Sequence, residues 1–226
     1  MRILICAATH FELKTFLAAG EEWTDSGIHI EPGAVAVGAV IGVGIPQTLL
    51  KFPPVIQRVQ PDWIVNIGIA GAYPGSGLSI GDIARVRSEQ FGDVGFELPE
   101  EPWFRPILDT EFAAGYHRIA LEHNPMFRID VPDLKVVETD ALTVSTCTGS
   151  ERTGRMREQL FAVQIETMEG AAVALAAVEA SIPVCEIRAI SNIASSRDMR
   201  PSNIRLAIDN LSTYLQAWRS NWTLPK

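Results

Sequence analysis

Cysteine, histidine and positive charge are all scarce in this chain. Its 226 residues include 3 cysteines and 4 histidines. Cys6, Cys147 and Cys185 are odd in number and lie far apart, which excludes a disulfide framework and a clustered zinc site and leaves reduced thiols in a core. No metal ligand set is expected. Lys and Arg number 19 against 27 Asp and Glu, a net charge of -8. A chain that binds a phosphate backbone needs clustered cations for counterion release, so nucleic acid is not an expected partner. No stretch approaches the roughly 18 apolar residues of a membrane span. Met1-Arg2 runs into a strand-like segment without a cleavage-site pattern, so a cytoplasmic protein is expected. Repeats, low-complexity tracts and linkers are also missing. The chain does have a 47% hydrophobic content with 20% charged residues, enough for one sizeable core and a single domain over 1–226.

Apolar runs at 2–8, 34–44, 62–71, 78–87, 134–144 and 183–191 read as strands, and the stretches 11–19, 46–52, 151–160, 167–180 and 202–218 between them read as helices. This alternation predicts an α/β fold, a three-layer α/β/α arrangement around a central mixed, largely buried sheet. Pro53-Pro54 is expected to end or kink the second helix, because neither ring can donate a helical hydrogen bond. Phe91 to Pro132 is rich in Pro, Asp, Glu and aromatics with little periodicity. It is expected to form long loops with one short helix over 111–121.

Two glycine-rich turns follow strands. "GVGIPQ" at 42–47 invites a dinucleotide-binding reading, but Gln47 replaces the third glycine and no acidic ribose ligand follows at the required distance. No nucleotide cofactor is expected. "NIGIAGAYPGSG" at 66–77 is the second turn, and two such turns at carboxyl ends of strands in one sheet point to a shared pocket. Glu12, at the junction of the first strand and helix, either stabilises the helix N-terminus or points into that pocket, where a carboxylate can hold and activate water. His10 beside it has an open role. Glu169 stands in "IETMEGAAVAL", a run that reads as a buried helix, with no Lys or Arg within one turn. A carboxylate there costs several kcal/mol unless something satisfies it. The two vicinal hydroxyls of a ribose would do so, one to each oxygen, with Met168 as an apolar surface under the sugar. Glu186 and Arg188 share a strand face and are expected to pair structurally. Asn192, just past that strand, has the donor and acceptor that a purine edge requires.

"ICAATHFEL", "GVGIPQ", "VNIGIAGAY", "IGDIARV", "TDALTVS", "TMEGAAV" and "IRAISN", in this order over most of the chain, resemble the purine-type nucleoside phosphorylases and nucleosidases, and most of all the futalosine hydrolases among them. The resemblance implies an N-glycosidic hydrolase with Glu12 as water-activating base and Met168 with Glu169 as ribose clamp. Thr143, Ile69 and Gly71 join Leu142 as implied substrate contacts. Asn192 stands where the methylthioadenosine nucleosidases carry a proton-donating aspartate, Leu142 where they carry a base-stacking aromatic, and Ile69 where they carry a serine. An amide cannot deliver a proton, so a 6-oxopurine such as hypoxanthine, which leaves as a delocalised anion, fits better than adenine. The amide can also pair with the adenine edge, so binding alone leaves adenine open. The loops "AATHFEL" and "GIAGAYPG" lack the arginines that hold a phosphate dianion, which favours hydrolysis over phosphorolysis. The aryl carboxylate of futalosine calls for a cation at the 5′ end, with Arg197, Arg200 and Arg105 as candidates. The alternatives are a methylthioadenosine/S-adenosylhomocysteine or aminodeoxyfutalosine nucleosidase, and a noncatalytic nucleoside-binding protein. A homodimer is expected from the resemblance and from the aromatic content near Trp103 and Phe104.

Overall fold

The computed structural model describes residues 1–24, 27–30, 33–113, 117–122, 129–195 and 198–221. The strands are β1 (Arg2–Ala7), β2 (Ile28–Ile30), β3 (Ala34–Val40), β4 (Trp63–Ala72), β5 (Ile83–Phe91), β6 (Gly95–Glu97), β7 (Phe104–Pro106), β8 (Ile119–Ala120), β9 (Val136–Thr143), β10 (Ile165–Thr167) and β11 (Val184–Ile193). The α-helices are α1 (His10–Leu13), α2 (Ile45–Val59), α3 (Glu151–Phe161), α4 (Gly170–Glu179) and α5 (Pro201–Ser220).

The main sheet runs β10-β9-β5-β11-β4-β1-β3-β2, with β8 added beside β5. It is mixed, as expected: β1, β3, β4 and β11 run parallel, and β5 is antiparallel to β11 but parallel to β9. β10 pairs with β9 on one side and with the end of β4 on the other, so β4, β11, β5, β9 and β10 close into a ring. Both faces of the sheet are apolar because alternate side chains enter different cores. Ile3, Ile5 and Ala7 of β1 join Val65 and Ile67 of β4 beneath α5, which contributes Leu211, Tyr214, Leu215 and Trp218. Leu4, Cys6 and Ile64 face the other way, against Phe52, Ile56 and Val59 of α2 and Val173, Ala174 and Ala177 of α4. This two-sided burial accounts for the nearly unbroken hydrophobic runs. The polar exceptions Asn66, Glu186 and Arg188 are buried on the same side of the sheet as α2 and α4.

Four expectations about the elements need correction. Of the two outcomes expected at Pro53-Pro54, ending the helix is excluded: α2 carries both inside a helix of 15 residues. Pro53 and Pro54 free the carbonyls of Leu49 and Leu50, which belong to exposed residues and can be hydrated. Burying Ile56 and Val59 beyond them, about 1.5–3 kcal/mol each, offsets much of the cost of two helical prolines, about 3 kcal/mol each. The region after Phe91 is not all loop: β6 pairs with β7 as a hairpin. No helix forms among the described residues of 111–121, where Ile119 and Ala120 instead pair with Glu89 and Ser88; residues 114–116 lie outside the described set. The fourth strand assignment also began too early, since Leu78 to Asp82 form the turn before β5. Among the described residues no helix is long and apolar enough to cross a membrane.

Candidate active site

β1 ends in "AATHFEL", and Thr9 caps α1: its side chain accepts from Glu12 N at 3.2 Å while Glu12 Oε2 accepts from Thr9 N at 3.1 Å. This reciprocal box is the plain helix-terminus role of Glu12. The same carboxylate accepts from Thr9 Oγ1 at 2.7 Å and, through Oε1, from Ile69 N at 3.1 Å. Three of its roughly four lone-pair sites are thus filled by the protein, and the side chain lines a cavity of about 380 Å³ at the carboxyl ends of the strands. One lone pair remains for a ligand or water. Fixed on three sides, the carboxylate needs no reorganisation to use it.

Glu169 faces Glu12 across the same cavity. It is the residue before α4, and "IETMEGAAVAL" is not one helix: Ile165–Thr167 is β10 and the helix begins at Gly170. Glu169 Oε1 accepts from Gly44 N at 2.7 Å. That bond uses "GVGIPQ", in which Gly42 and Gly44 both take positive φ (86° and 82°), conformations only glycine adopts without strain. Burial holds the Glu169 carboxyl above its ordinary value, with Glu12 and Glu186 adding repulsion, against the pull of Arg188 of β11 and the Gly44 N–H.

Arg188, expected only as the structural partner of Glu186, also lies close to Glu12. It is fully buried, and its Nε donates to Glu186 Oε1 at 2.7 Å, the expected pair. A methyl group placed on Gly68 would lie 2.4 Å from Arg188 Nη1 and 2.6 Å from Glu12 Oε1. The guanidinium and the carboxylate therefore flank one point on β4 that only glycine leaves open. The available signal was the strand period, which puts Arg188 on the sheet face of Gly68.

At the other end of the cavity, Asn192 Oδ1 takes the Ser191 hydroxyl at 3.0 Å, and its Nδ2 has no hydrogen-bond partner among the described residues. A side chain on Gly71 would press on that amide, at 3.2 Å from Nδ2. Met168 lines the wall, with Cys147 Sγ 3.3 Å from its sulfur. Behind them Glu166 accepts from Thr148 N (2.9 Å), Thr148 Oγ1 (2.5 Å) and Tyr73 (3.2 Å), with Arg157 at 3.6 Å. Glu166, Ser191 and Cys147 were not anticipated, and only the fold brings them together.

Six of the eight anticipated residues line this cavity: Glu12, Ile69, Gly71, Met168, Glu169 and Asn192. Leu142 and Thr143 do not. Leu142 points into a separate core with Tyr73 and Phe161. Thr143 Oγ1 instead accepts from Ala171 N at 2.7 Å, capping α4, and contacts Glu89. His10 is exposed and outside the cavity lining. Of the candidate cations, Arg105 donates to the Asp109 carbonyl beyond its hairpin, Arg200 pairs with Asp198 beside the cavity residue Met199, and Arg197 lies outside the described residues.

Comparison with known proteins places this geometry. The chain is 29% identical to a futalosine hydrolase of Streptomyces coelicolor over 166 residues, 70% of this chain and 68% of that one. It is 31% identical to a 5′-methylthioadenosine/S-adenosylhomocysteine nucleosidase of Colwellia psychrerythraea over 165 residues, 68% of this chain and 65% of that one. A solved nucleosidase from Colwellia psychrerythraea, in complex with adenine, superposes with a TM-score of 0.74 at 22% identity, covering 98% of this chain and 95% of that chain. A family model described as the phosphorylase superfamily matches residues 3–217. The chain belongs to the phosphorylase superfamily.

Proposed function

We propose that the protein is an N-glycosidic hydrolase of purine nucleosides and that its substrate is futalosine, cleaved to hypoxanthine and dehypoxanthine futalosine. The observation that carries this reading is that Asn192, an amide with a donor left over, lines one cavity with the carboxylates of Glu12 and Glu169. In the proposed reaction the C1′–N9 bond lengthens and positive charge develops on the ribose. Glu12 takes a proton from water as the water oxygen bonds to C1′. The electrons of the broken bond leave on the purine, where Asn192 Nδ2 donates to the developing anion. Glu169 accepts from the ribose hydroxyls while Gly44 N holds its other side. Arg188 is surrounded by Glu12, Glu169 and Glu186. This one cation among three carboxylates gives a poor phosphate site, which favours water as nucleophile.

The methylthioadenosine reading keeps support from the similar identity of the Colwellia relative, and base release separates the two. The purified protein, in phosphate-free buffer, is incubated with futalosine and separately with methylthioadenosine, and free base is followed by chromatography. Hypoxanthine from futalosine alone supports the proposal. Adenine from methylthioadenosine moves the assignment to the adenine branch, and no release from either leaves a nucleoside-binding protein.

Glu169→Gln separates binding from stability. Losing a charge-assisted bond to ribose costs about 1.5–3 kcal/mol, roughly 10–100-fold in kcat/KM. Stability moves the opposite way. The folded-state pKa of Glu169 lies above its ordinary 4.5. The folded protein therefore binds that proton more tightly, and stability declines as pH rises through the folded value. The glutamine variant is expected to melt higher than wild type at pH 8, with the gain gone below pH 4.5. A lower melting point at pH 8 would mean that the charge stabilises the fold.

We also propose a homodimer. Leu49 and Leu50 on α2, with Val43 and Phe11 beside the cavity mouth, are exposed, an apolar surface of the kind that pairs subunits. Trp103, 37% exposed, continues this character elsewhere, whereas Phe104 packs on Phe161. Light scattering should give twice the 24.7 kDa protomer mass; a single-protomer mass at working concentration refutes the dimer.

A further inference from the structure

Behind the cavity, on the α4 side of the sheet, lies a second pair of buried carboxylates that the proposed reaction does not use. Glu89 of β5 is 0% exposed and Glu186 of β11 is 2% exposed. They converge on the first residue of α4: a methyl group on Gly170 would lie 1.9 Å from Glu89 Oε1 and 2.8 Å from Glu186 Oε1. Their other contacts differ. Glu186 takes two donors, Arg188 Nε at 2.7 Å and Asn66 Nδ2 at 3.1 Å. Among the described residues Glu89 meets only hydroxyls, Thr143 Oγ1 at 2.9 Å and Thr167 Oγ1 at 3.0 Å, and the two hydroxyls meet each other at 3.0 Å.

Counting protons settles what that triangle needs. Both threonine oxygens already accept from the backbone, Thr143 from Ala171 N and Thr167 from Gly170 N. Three O···O contacts then require three O–H donors, and two threonines supply two. The ring closes only when Glu89 brings the third, donating to one hydroxyl, which donates to the second, which donates back to Glu89. A charged Glu89 would leave one contact without a proton and set two like charges side by side with a single guanidinium between them and the cavity.

We propose that Glu89 is a neutral carboxylic acid at neutral pH, and that its neutrality leaves Glu186 free to act as the positioning residue that holds Arg188 beneath Glu12 and Glu169. Glu186 fixes the guanidinium by its Nε, and Nη1 is thereby carried to the point beside Glu12 Oε1. Arg188 Nη2 is buried with no hydrogen-bond partner, so the Glu186 and Asn66 contacts are what keep this group in register. Burial and the neighbouring Glu186 push the Glu89 carboxyl well above the ordinary range, against the hydroxyls and Arg188. The groups that face the pair are Arg188 from β11, Asn66 from β4, Cys6 from β1, Glu12 from α1 and Glu169 at the head of α4, while Cys185, next to Glu186 in β11, points to the α5 side. Burial holds both thiols protonated.

The inference rests on the proposed hydrolase reading for its kinetic arm only. Infrared spectra of the full-length protein at pH 7 to 8 are expected to show a protonated-carboxyl stretching band that disappears in Glu89→Gln and persists in Glu186→Gln. A wild-type spectrum without the band, or a band that survives in Glu89→Gln, overturns the assignment whatever the protein's activity. In futalosine hydrolysis, Glu186→Gln is expected to lower kcat about 100-fold with little change in KM, the scale of a misplaced active-site group. The acid limb of its pH profile should move to lower pH, because a like charge near Glu169 is gone. Glu89→Gln, uncharged like the acid it replaces, should leave that limb in place. Should Glu186→Gln fail to fold, the wild-type band and Glu89→Gln still decide the protonation, and Asn66→Ala tests the anchoring of Glu186 by the same kcat loss. Wild-type kinetics in a folded Glu186→Gln or Asn66→Ala overturn the positioning role. A wild-type protein that releases no base sinks the hydrolase reading but not the infrared result.

Discussion

Glu12→Gln is expected to slow base release about 10³-fold, within the range of a lost general base, while the protein stays folded. Two roles meet in this side chain, and the variant separates them. As a cap, the carboxylate accepts from Thr9 N, Thr9 Oγ1 and Ile69 N. A glutamine oxygen can keep some of these bonds, and losing one net bond costs about 1 kcal/mol. For a domain of this size that lowers the melting point by roughly 2–4 °C. As a base, the amide retains almost nothing, since it does not take a proton from water at neutral pH. The measurement is hypoxanthine release from futalosine in phosphate-free buffer beside a thermal melt of the same preparation. A tenfold loss or less, with the melting point lowered as expected for a lost cap, would reduce Glu12 to a helix cap.

Asn192→Asp is expected to change which base leaves, raising adenine release from methylthioadenosine about 100-fold relative to futalosine cleavage, a barrier difference of about 2.7 kcal/mol. Asn192 is 6% exposed, and a carboxyl in such a place tends to keep its proton because desolvation disfavours its charge. It could then donate that proton to a departing adenine, which an amide cannot do. The Ser191 hydroxyl 3.0 Å from Oδ1 would serve either side chain, so the exchange is nearly isosteric. Both substrates are compared at equal concentration by kcat/KM. An unchanged ratio would show that base choice is set elsewhere in the cavity, where Glu166 and Cys147 are also among the lining residues.

Much of this arrangement can be read from residue order, because strand ends, glycine turns and helix starts are local events. Glu12 is found through its capping position and Glu169 through a carboxylate among small residues. Both signals lie within a few residues. What escaped depends on register across the sheet. Arg188 reaches Glu12 only because β11 inserts beside β4 in the register that opposes Arg188 to Gly68. Leu142 and Thr143 were misplaced for the converse reason: they sit on one strand, yet one side chain enters the Phe161 core and the other caps α4. Helix α2 shows packing overriding local propensity, since its buried Phe52, Ile56 and Val59 carry it past two prolines. The β6–β7 hairpin was hidden by short strands whose residues are mostly exposed, so no alternation marked them.

The position of β11 in the sheet also constrains how the chain can be made. It is the last strand in the sequence, yet it lies between β4 and β5, with the closing contact of β10 on β4 not far behind. A ribosome delivers Trp63–Phe91 long before Val184–Ile193. Until then β4 and β5 each lack the neighbour that completes their hydrogen bonds, and no native-like N-terminal half exists to shelter them. The nascent chain therefore carries two unsatisfied strand edges through most of its synthesis. A stop codon anywhere before β11 removes the middle of the sheet rather than its margin.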